Sequence, residues 1–284
     1  MDYLNIEKWK ADDKTGISLA SNAVTKTAFS DEVQNNLMTL EDDSWWFIYR
    51  AIIIIERMNE FFSKNKLTLD IGGGNGYTSS VAKEKGYHIA IIEPNMTACL
   101  HAKERGIDGV NCGTVTDETI LDKTIEQALL LDVLEHIEDD GKFLNLLHRK
   151  LVRDGLLIIT VPAFMCLWSS EDDAAGHYRR YRLAQLCDLL ESQGFTICYR
   201  SYFMGFLFLP VLLIRVLLEK AGFLKRQEDR NDEERAAIAK SQFQSRRGFI
   251  SVGLTALEGI ERQLMKREGR VPFGSSIIVV AKNK

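Results

Sequence analysis

The run Leu67-Thr68-Leu69-Asp70-Ile71-Gly72-Gly73-Gly74-Asn75-Gly76 places an acid and closely spaced glycines directly after an apolar stretch. Glycine turns tightly and lets backbone approach a ligand. A helix starting near Tyr77 would point its positive end at the same place. Together these features bind a nucleotide-like ligand, and the spacing narrows its kind. A dinucleotide turn wants G-x-G-x-x-G, whereas Gly72, Gly74 and Gly76 fall as G-x-G-x-G. A P-loop needs Gly-Lys-Ser/Thr, and Asn75-Gly76-Tyr77 offers no lysine. An acid in the turn repels phosphate and suits a cation.

A second constellation lies further on, in Glu171-Asp172-Asp173-Ala174-Ala175-Gly176-His177-Tyr178-Arg179-Arg180-Tyr181. His177 is the histidine of this loop, and an imidazole titrating near neutral pH can serve as a general base. Arg179 and Arg180, with Tyr178, could bind an anionic acceptor bidentately. In the alternative reading Asp172, Asp173 and the arginines pair with one another and fix the loop.

Elements of alternating type must position these residues. Leu67–Ile71 reads as a buried strand. His88-Ile89-Ala90-Ile91-Ile92-Glu93 reads as a second, one helix downstream, ending on an acid at roughly the spacing for ribose hydroxyls. Ala128-Leu129-Leu130-Leu131-Asp132 leads into Val133-Leu134-Glu135-His136, and Gly155–Val161 ends at Pro162. A helix over Leu183–Gln193, a strand over Phe195–Tyr202 and a closing strand in Pro272–Ala281 complete the pattern. Ligands in such a sheet sit outside the carboxyl ends of the strands, so the loop after Pro162 borders the acceptor.

At this point the chain resembles the class I S-adenosylmethionine-dependent methyltransferases. Asp70 to Gly76 looks like their first motif and Glu93 like their ribose acid. Asp132-Val133-Leu134-Glu135-His136 looks like the fourth-strand motif of the small-molecule branch, and Arg153-Asp154-Gly155 like the turn into the fifth strand. Trp45-Trp46-Phe47 with Arg50, and Gly176-His177-Tyr178-Arg179-Arg180-Tyr181, resemble signatures of a polysaccharide- and lipid-related subgroup. There a histidine commonly precedes the tryptophans; here Ser44 stands in its place.

The resemblance implies a Rossmann-like α/β fold: a seven-stranded doubly wound sheet whose last strand is antiparallel. It implies S-adenosylmethionine, a ligand with an ammonium, a sulfonium and no phosphate, as cofactor. Asp70, Gly72, Gly73, Gly74, Asn75 and Gly76 would hold its methionine end, Glu93 the ribose, and Cys112 to Val115, with Thr114, the adenine region; Pro94 would also touch the cofactor. Asp132 and Val133 would line the cofactor, and His136 the acceptor mouth. Trp45 and Trp46 would belong to a lid or, alternatively, pin the leading helix to the core. Asp132 could also be a helix N-cap and His136 a structural helix starter.

Composition frames this reading. The 284 residues are 45% apolar and 27% charged, with net charge −4, which argues against a nucleic-acid partner. Five cysteines form no C-x-x-C pair, so a reducing cytoplasm is expected and a disulfide framework is not. No metal cluster is visible among the five histidines. The N-terminus lacks a basic-then-apolar leader. Residues 1–66 read as a helical lid, 67–202 as the cofactor-binding core, 203–271 as an apolar then charged helical insertion, and 272–284 as the final strand. Phe203 to Leu218 is apolar on every side except Arg215, yet too short and too interrupted to span a bilayer. It reads as internal packing or as a peripheral membrane contact at the inner face of a membrane. A second helix near 254–267 carries Leu254, Leu257, Ile260 and Leu264 on one face.

The expected activity is methyl transfer to a small or lipid-linked acceptor. The rivals are a membrane-associated, non-catalytic cofactor-binding scaffold and an NAD-dependent oxidoreductase. The sequence does not choose among O-, N- and C-methylation or give the oligomeric state.

Overall fold

Apolar runs bounded by glycine turns become the central strands of a computed structural model that describes residues 3–21, 30–222, 249–266 and 270–284. In chain order these are β1 (Trp9–Ala11), β2 (Ser18–Ala20), α1 (Asp31–Glu41), α2 (Trp45–Phe61), β3 (Leu67–Ile71), α3 (Tyr77–Glu84), β4 (His88–Glu93), α4 (Met96–Glu104) and β5 (Gly109–Cys112). Then follow β6 (Ile125–Leu131), α5 (Asp140–Lys150), β7 (Leu151–Pro162), α6 (Ser170–Ala175), α7 (Leu183–Ser192), β8 (Phe195–Phe203) and β9 (Ser276–Asn283).

One sheet runs in the order β1-β2-β5-β4-β3-β6-β7-β9-β8. Strands β5, β4, β3, β6 and β7 are mutually parallel, and β9 is antiparallel to both neighbours, β7 and β8. These are the seven expected strands, with the antiparallel one last in the chain. The sheet has nine because a hairpin, β1-β2, adds itself to the edge at β5. Hence residues 1–66 contain strands as well as helices. The sequence reading overlooked this hairpin because strands of three residues show no measurable alternation.

The central strands are covered on both faces, so their side chains are apolar on both. Leu129, Leu130, Leu157, Ile158, Ile159 and Val279 are fully buried, as parallel sheets between helical layers require. Helix α2 supplies Tyr49, Ile53, Ile54 and Met58 to the same core. Ser44 stands at its N-cap position, but its buried hydroxyl has no hydrogen-bond partner.

The apolar segment after β8 folds as a short 3-10 turn, Gly205–Leu207, running into a π-helix, Val211–Leu217. Phe206 packs against Trp45 and Tyr49, with ring centroids 6.1 and 5.9 Å apart. Phe208 lies edge-on to Phe164 and Phe273. Leu209, Leu213, Leu217 and Leu218 face outward. In the helix Phe249–Lys266 the expected apolar face is turned outward as well: Leu257, Ile260 and Leu264 are exposed, while Glu258, Glu261 and Met265 are buried. The inversion has a local cause. Glu261 accepts hydrogen bonds from the Met204 and Gly205 amides and the Tyr49 hydroxyl, at 2.6, 2.7 and 2.8 Å. Those donors would otherwise be buried unsatisfied. No helix among the described residues is long and apolar enough to cross a membrane. The charged stretch near 225–247 lies outside the described residues.

Candidate active site

Because β3 to β7 run parallel, their carboxyl ends share one edge of the sheet. The glycine turn, Glu93, Thr114, Asp132 and the loop after Pro162 all leave from that edge. The fold therefore gathers residues that are far apart in the chain.

The turn Gly72 to Gly76 needs its glycines. Gly72 and Gly74 have φ of 73° and 54°, where a side chain is strained. At Gly72 a Cβ would also strike Val133 Cγ2 at 2.6 Å, whereas at Gly74 it would meet no protein atom within 4 Å. Gly74 thus presents bare backbone to open space, a cradle that a side chain would fill. Its amide donates to Glu93 Oε2 at 3.0 Å, and the Asn95 amide donates to Oε1 at 2.8 Å. Each carboxylate oxygen keeps a second lone pair for a ribose hydroxyl. Burial pushes the Glu93 carboxyl up to about 7, against those two amide hydrogen bonds.

Asp70 is 1% exposed. It lies beneath the turn, with Oδ2 accepting from Ser79 Oγ at 2.6 Å. Burial raises its carboxyl to about 6, opposed by Ser79 and Arg50. Asn75 is buried as well. Its amide nitrogen donates to the Gln34 carbonyl and Glu41 Oε1, and its oxygen meets His101 Nδ1 at 3.0 Å. Asn75 thereby fastens α1 over the turn, and Arg105 adds ion pairs to Glu41 and Asp42.

Pro94 and Thr114 follow the paired ends of β4 and β5, where Glu93 faces Cys112 in register. The Thr114 carbonyl accepts from Thr119 Oγ1 at 2.8 Å. Asp132 adopts a left-handed φ of 55° at the end of β6. It is not a helix cap: Oδ1 accepts from Thr160 Oγ1 at 3.0 Å, and Oδ2 pairs with Arg50 Nη2 at 2.7 Å. Arg50 is a site residue that its position in the Trp-Trp-Phe pattern could have signalled. It reaches from α2 across to two strand ends, and its guanidinium lies 5.5 Å from the Trp46 ring centroid. Trp45 and Trp46 are half-buried and pack on the core.

The loop after β7 closes against the turn after β6. The Tyr178 amide donates to the Glu135 carbonyl at 2.8 Å. Arg179 pairs with Asp140 at 2.7 Å, and Tyr181 donates to the same carboxylate at 2.8 Å. Arg180 is buried, with Nε on Asp172 Oδ1 at 2.7 Å and Nη1 on the Ala163 carbonyl at 3.3 Å. Both arginines make the internal pairings of the alternative reading, and Arg179 keeps 28% side-chain exposure. Each finds a carboxylate or carbonyl already within reach.

His177 Nδ1 lies 2.8 Å from Asp172 Oδ1. Burial works against the ionised Asp172, but hydrogen bonds from His177 and Arg180 outweigh it and hold the carboxyl below its ordinary range. This pairing orients the ring and occupies Nδ1, leaving Nε2 on its other side. The His136 ring stands edge-on to it, with centroids 4.7 Å apart. Burial, with His177 adjacent, lowers His136 to about 4. Glu135 is 1% exposed, and its Oε2 has no hydrogen-bond partner; burial, then Asp132, pushes its carboxyl well above the usual range. Ligand atoms of Glu135, His136 and His177 lie within 4.8 Å of one another. This grouping is not legible in the sequence, because its third member joins only through folding.

A nucleotide-type cradle and a histidine–carboxylate cluster on one edge of a Rossmann-like sheet define the class. Residues 47–199 match the family described as methyltransferase domain, and the chain belongs to that family. A probable S-adenosylmethionine-dependent methyltransferase of Mycolicibacterium smegmatis is 21% identical over 56% of this chain and 62% of its own length. A ubiquinone biosynthesis O-methyltransferase of a Caulobacter species is 30% identical over 32% of this chain and 38% of its own. The chain thus spans between 38% and 62% of these relatives' lengths. Among solved structures, phosphoethanolamine N-methyltransferase 2 of Haemonchus contortus, bound to S-adenosyl-L-methionine, superposes with a TM-score of 0.54 at 15% identity, covering 94% of this chain and 61% of that one. A [4+2]-cyclase superposes with a TM-score of 0.55 at 17% identity, covering 89% and 93%. The fold alone therefore does not decide the chemistry.

Proposed function

We propose that this chain transfers the methyl group of S-adenosylmethionine to a hydroxyl oxygen of a small or lipid-linked acceptor. The observation that carries the reading is the pairing, at one sheet edge, of an open glycine cradle beside Glu93 with a His177 ring oriented by Asp172. Gly72, Gly73, Gly74 and Gly76 receive the methionine end and Glu93 the ribose, while Pro94 and Thr114 border the base. Asp70 acts from below, holding the turn through Ser79. Asp132 and Val133 close the far side under Arg50. Trp45 and Trp46, with α1, form the cover. The name of the Caulobacter relative, a ubiquinone biosynthesis O-methyltransferase, supports oxygen as the acceptor atom.

The reaction is an in-line displacement at the sulfonium methyl, for which alignment of donor and acceptor supplies much of the rate. A hydroxyl must also lose its proton, and His177 is the residue assigned to act on it. Incubation with methyl-labelled S-adenosylmethionine and a lipid and metabolite extract tests the proposal; label is expected in an O-methyl product. His177→Ala should lower turnover by about 10²–10⁴-fold, the usual worth of such a group. Cofactor affinity and melting temperature should stay close to those of the unmodified protein. A variant that keeps most of its turnover would remove His177 from the chemistry.

Two exposed apolar rows bear on the acceptor's class. Leu209, Leu213 and Leu217 form one, and Leu257, Ile260 and Leu264 the other. We infer that they offer a peripheral lipid contact through which a lipid-linked acceptor reaches the site; surface of this kind commonly marks an interaction.

A further inference from the structure

We propose that Glu135, His136 and His177 form a binding site for one divalent transition-metal ion of the zinc class. Three observations carry it. The first is the donor set: two imidazoles and a carboxylate, each offering a ligand atom within 4.8 Å of the others. Bonds of about 2.0–2.2 Å to nitrogen and oxygen draw such a group together by small side-chain rotations. Two imidazoles favour zinc-class ions over magnesium or calcium, which prefer oxygen ligands.

The second is Glu135 itself. Its carboxylate is enclosed, and Oε2 has no hydrogen-bond partner. A buried carboxylate oxygen without a partner is costly, and a cation is the group that most directly relieves it. The third is what stands behind His177. Asp172 Oδ1 holds Nδ1 at 2.8 Å and is itself held by Arg180. A carboxylate on the far nitrogen of a histidine is the usual support of a metal-binding imidazole, since it fixes the ring and its tautomer. The backbone is also set for this assembly. Glu135 and His136 are consecutive on the Leu134–His136 turn, and the Tyr178 amide clamps the His177 loop onto the Glu135 carbonyl.

Three protein ligands leave a coordination position open, the arrangement of catalytic rather than structural zinc sites. The use of that position rests on the proposed O-methyl transfer. The acceptor hydroxyl takes it and becomes acidic enough to release its proton to solvent. The S–CH3 bond then breaks as the O–CH3 bond forms, and the sulfonium leaves as a neutral thioether. With the ion bound, His177 serves the acceptor as a metal ligand in place of a free base, and Asp172 is a positioning residue.

The test uses the full chain, stripped with a chelator and titrated with Co2+ and then Zn2+ alone. One equivalent should bind, with the visible absorption of nitrogen- and oxygen-ligated Co2+. Both His136→Ala and His177→Ala should abolish stoichiometric binding. Glu135→Gln should weaken it, and Asp172→Asn should weaken it by about 10–100-fold. S-adenosylhomocysteine affinity, measured on the same samples, should be unchanged in all four, which shows that each is folded. No stoichiometric binding, or binding that persists in the doubly substituted His136→Ala, His177→Ala protein, overturns the metal site. If the stripped protein still transfers methyl groups at full rate, the metal proposal fails while the O-methyltransferase reading stands. If Co2+ binds as expected but no labelled O-methyl product forms, the failure lies with the reading and not with the site.

Discussion

At the scale of single residues, the candidate site is governed by carboxylates buried at strand ends. Burial raises Glu93 to about 7 and Asp70 to about 6, so both hold protons in the fold that they lose in the unfolded chain. The sign follows from proton linkage. Between the ordinary carboxylate range near pH 4 and about pH 7 the folded state binds more protons, so the unliganded fold should lose stability as pH rises. Ligand binding should run the other way. A ribose donates two hydroxyls, and ionised Glu93 accepts them better than the protonated acid. S-adenosylhomocysteine affinity measured by calorimetry should therefore rise from pH 5.5 to 7.5, and Glu93→Gln should weaken binding and flatten that rise. A pH-independent affinity in the unmodified protein would remove Glu93 from the ribose contact. Residue chemistry was legible in the sequence where one short segment holds the whole device, as in Gly72 to Gly76. It was less legible where folding decides between partners: the sequence leaves Arg180 open between an anion and an internal pair, and in the fold Asp172 and the Ala163 carbonyl take it.

At the scale of elements, long apolar strands were legible because sheets covered on both faces demand unbroken apolar runs. The β1-β2 hairpin was not, since its stability comes from adding to an existing edge and not from its own pattern. Nor was the orientation of the helix Phe249–Lys266, whose polar face is buried because Glu261 satisfies three donors there. The tie between α2 and the sheet rests on Arg50, which bridges Asp132 and Thr160. Removing one partner of a largely buried ion pair leaves the other uncompensated, at about 3–5 kcal/mol. Because Asp132 retains 29% side-chain exposure, Arg50→Ala should fall near the lower end, about 3 kcal/mol. Urea unfolding measures it. A loss within about 0.5 kcal/mol, the size of an ordinary surface change, would show that the pair is not a structural tie.

At the scale of the whole molecule, Asn75 fastens α1 over the glycine turn, and α2 packs against the segment after β8 through Trp45, Tyr49 and Phe206. Outward leucines on the segment after β8, with Leu257, Ile260 and Leu264 on the helix Phe249–Lys266, make the apolar rows proposed to meet lipid. Flotation with anionic and neutral liposomes should carry the protein upward, and the double substitution Leu213→Glu, Leu217→Glu should abolish this without changing cofactor affinity. Protein that stays at the bottom of the gradient with both liposome types would assign these rows to other contacts.

The central claim is that the cradle beside Glu93 receives an adenosyl ligand whose methyl group the chain transfers. Calorimetric titration of S-adenosylhomocysteine into the unmodified protein and into Gly74→Val tests it most directly. A Cβ at Gly74 meets no protein atom within 4 Å, so a valine there would extend into the open space proposed for the ligand and also strain a φ of 54°. Saturable one-to-one binding in the unmodified protein, at least about 100-fold weaker in a variant that still unfolds cooperatively, is the expected result. Equal binding in the two proteins, or none in the unmodified one, would contradict it.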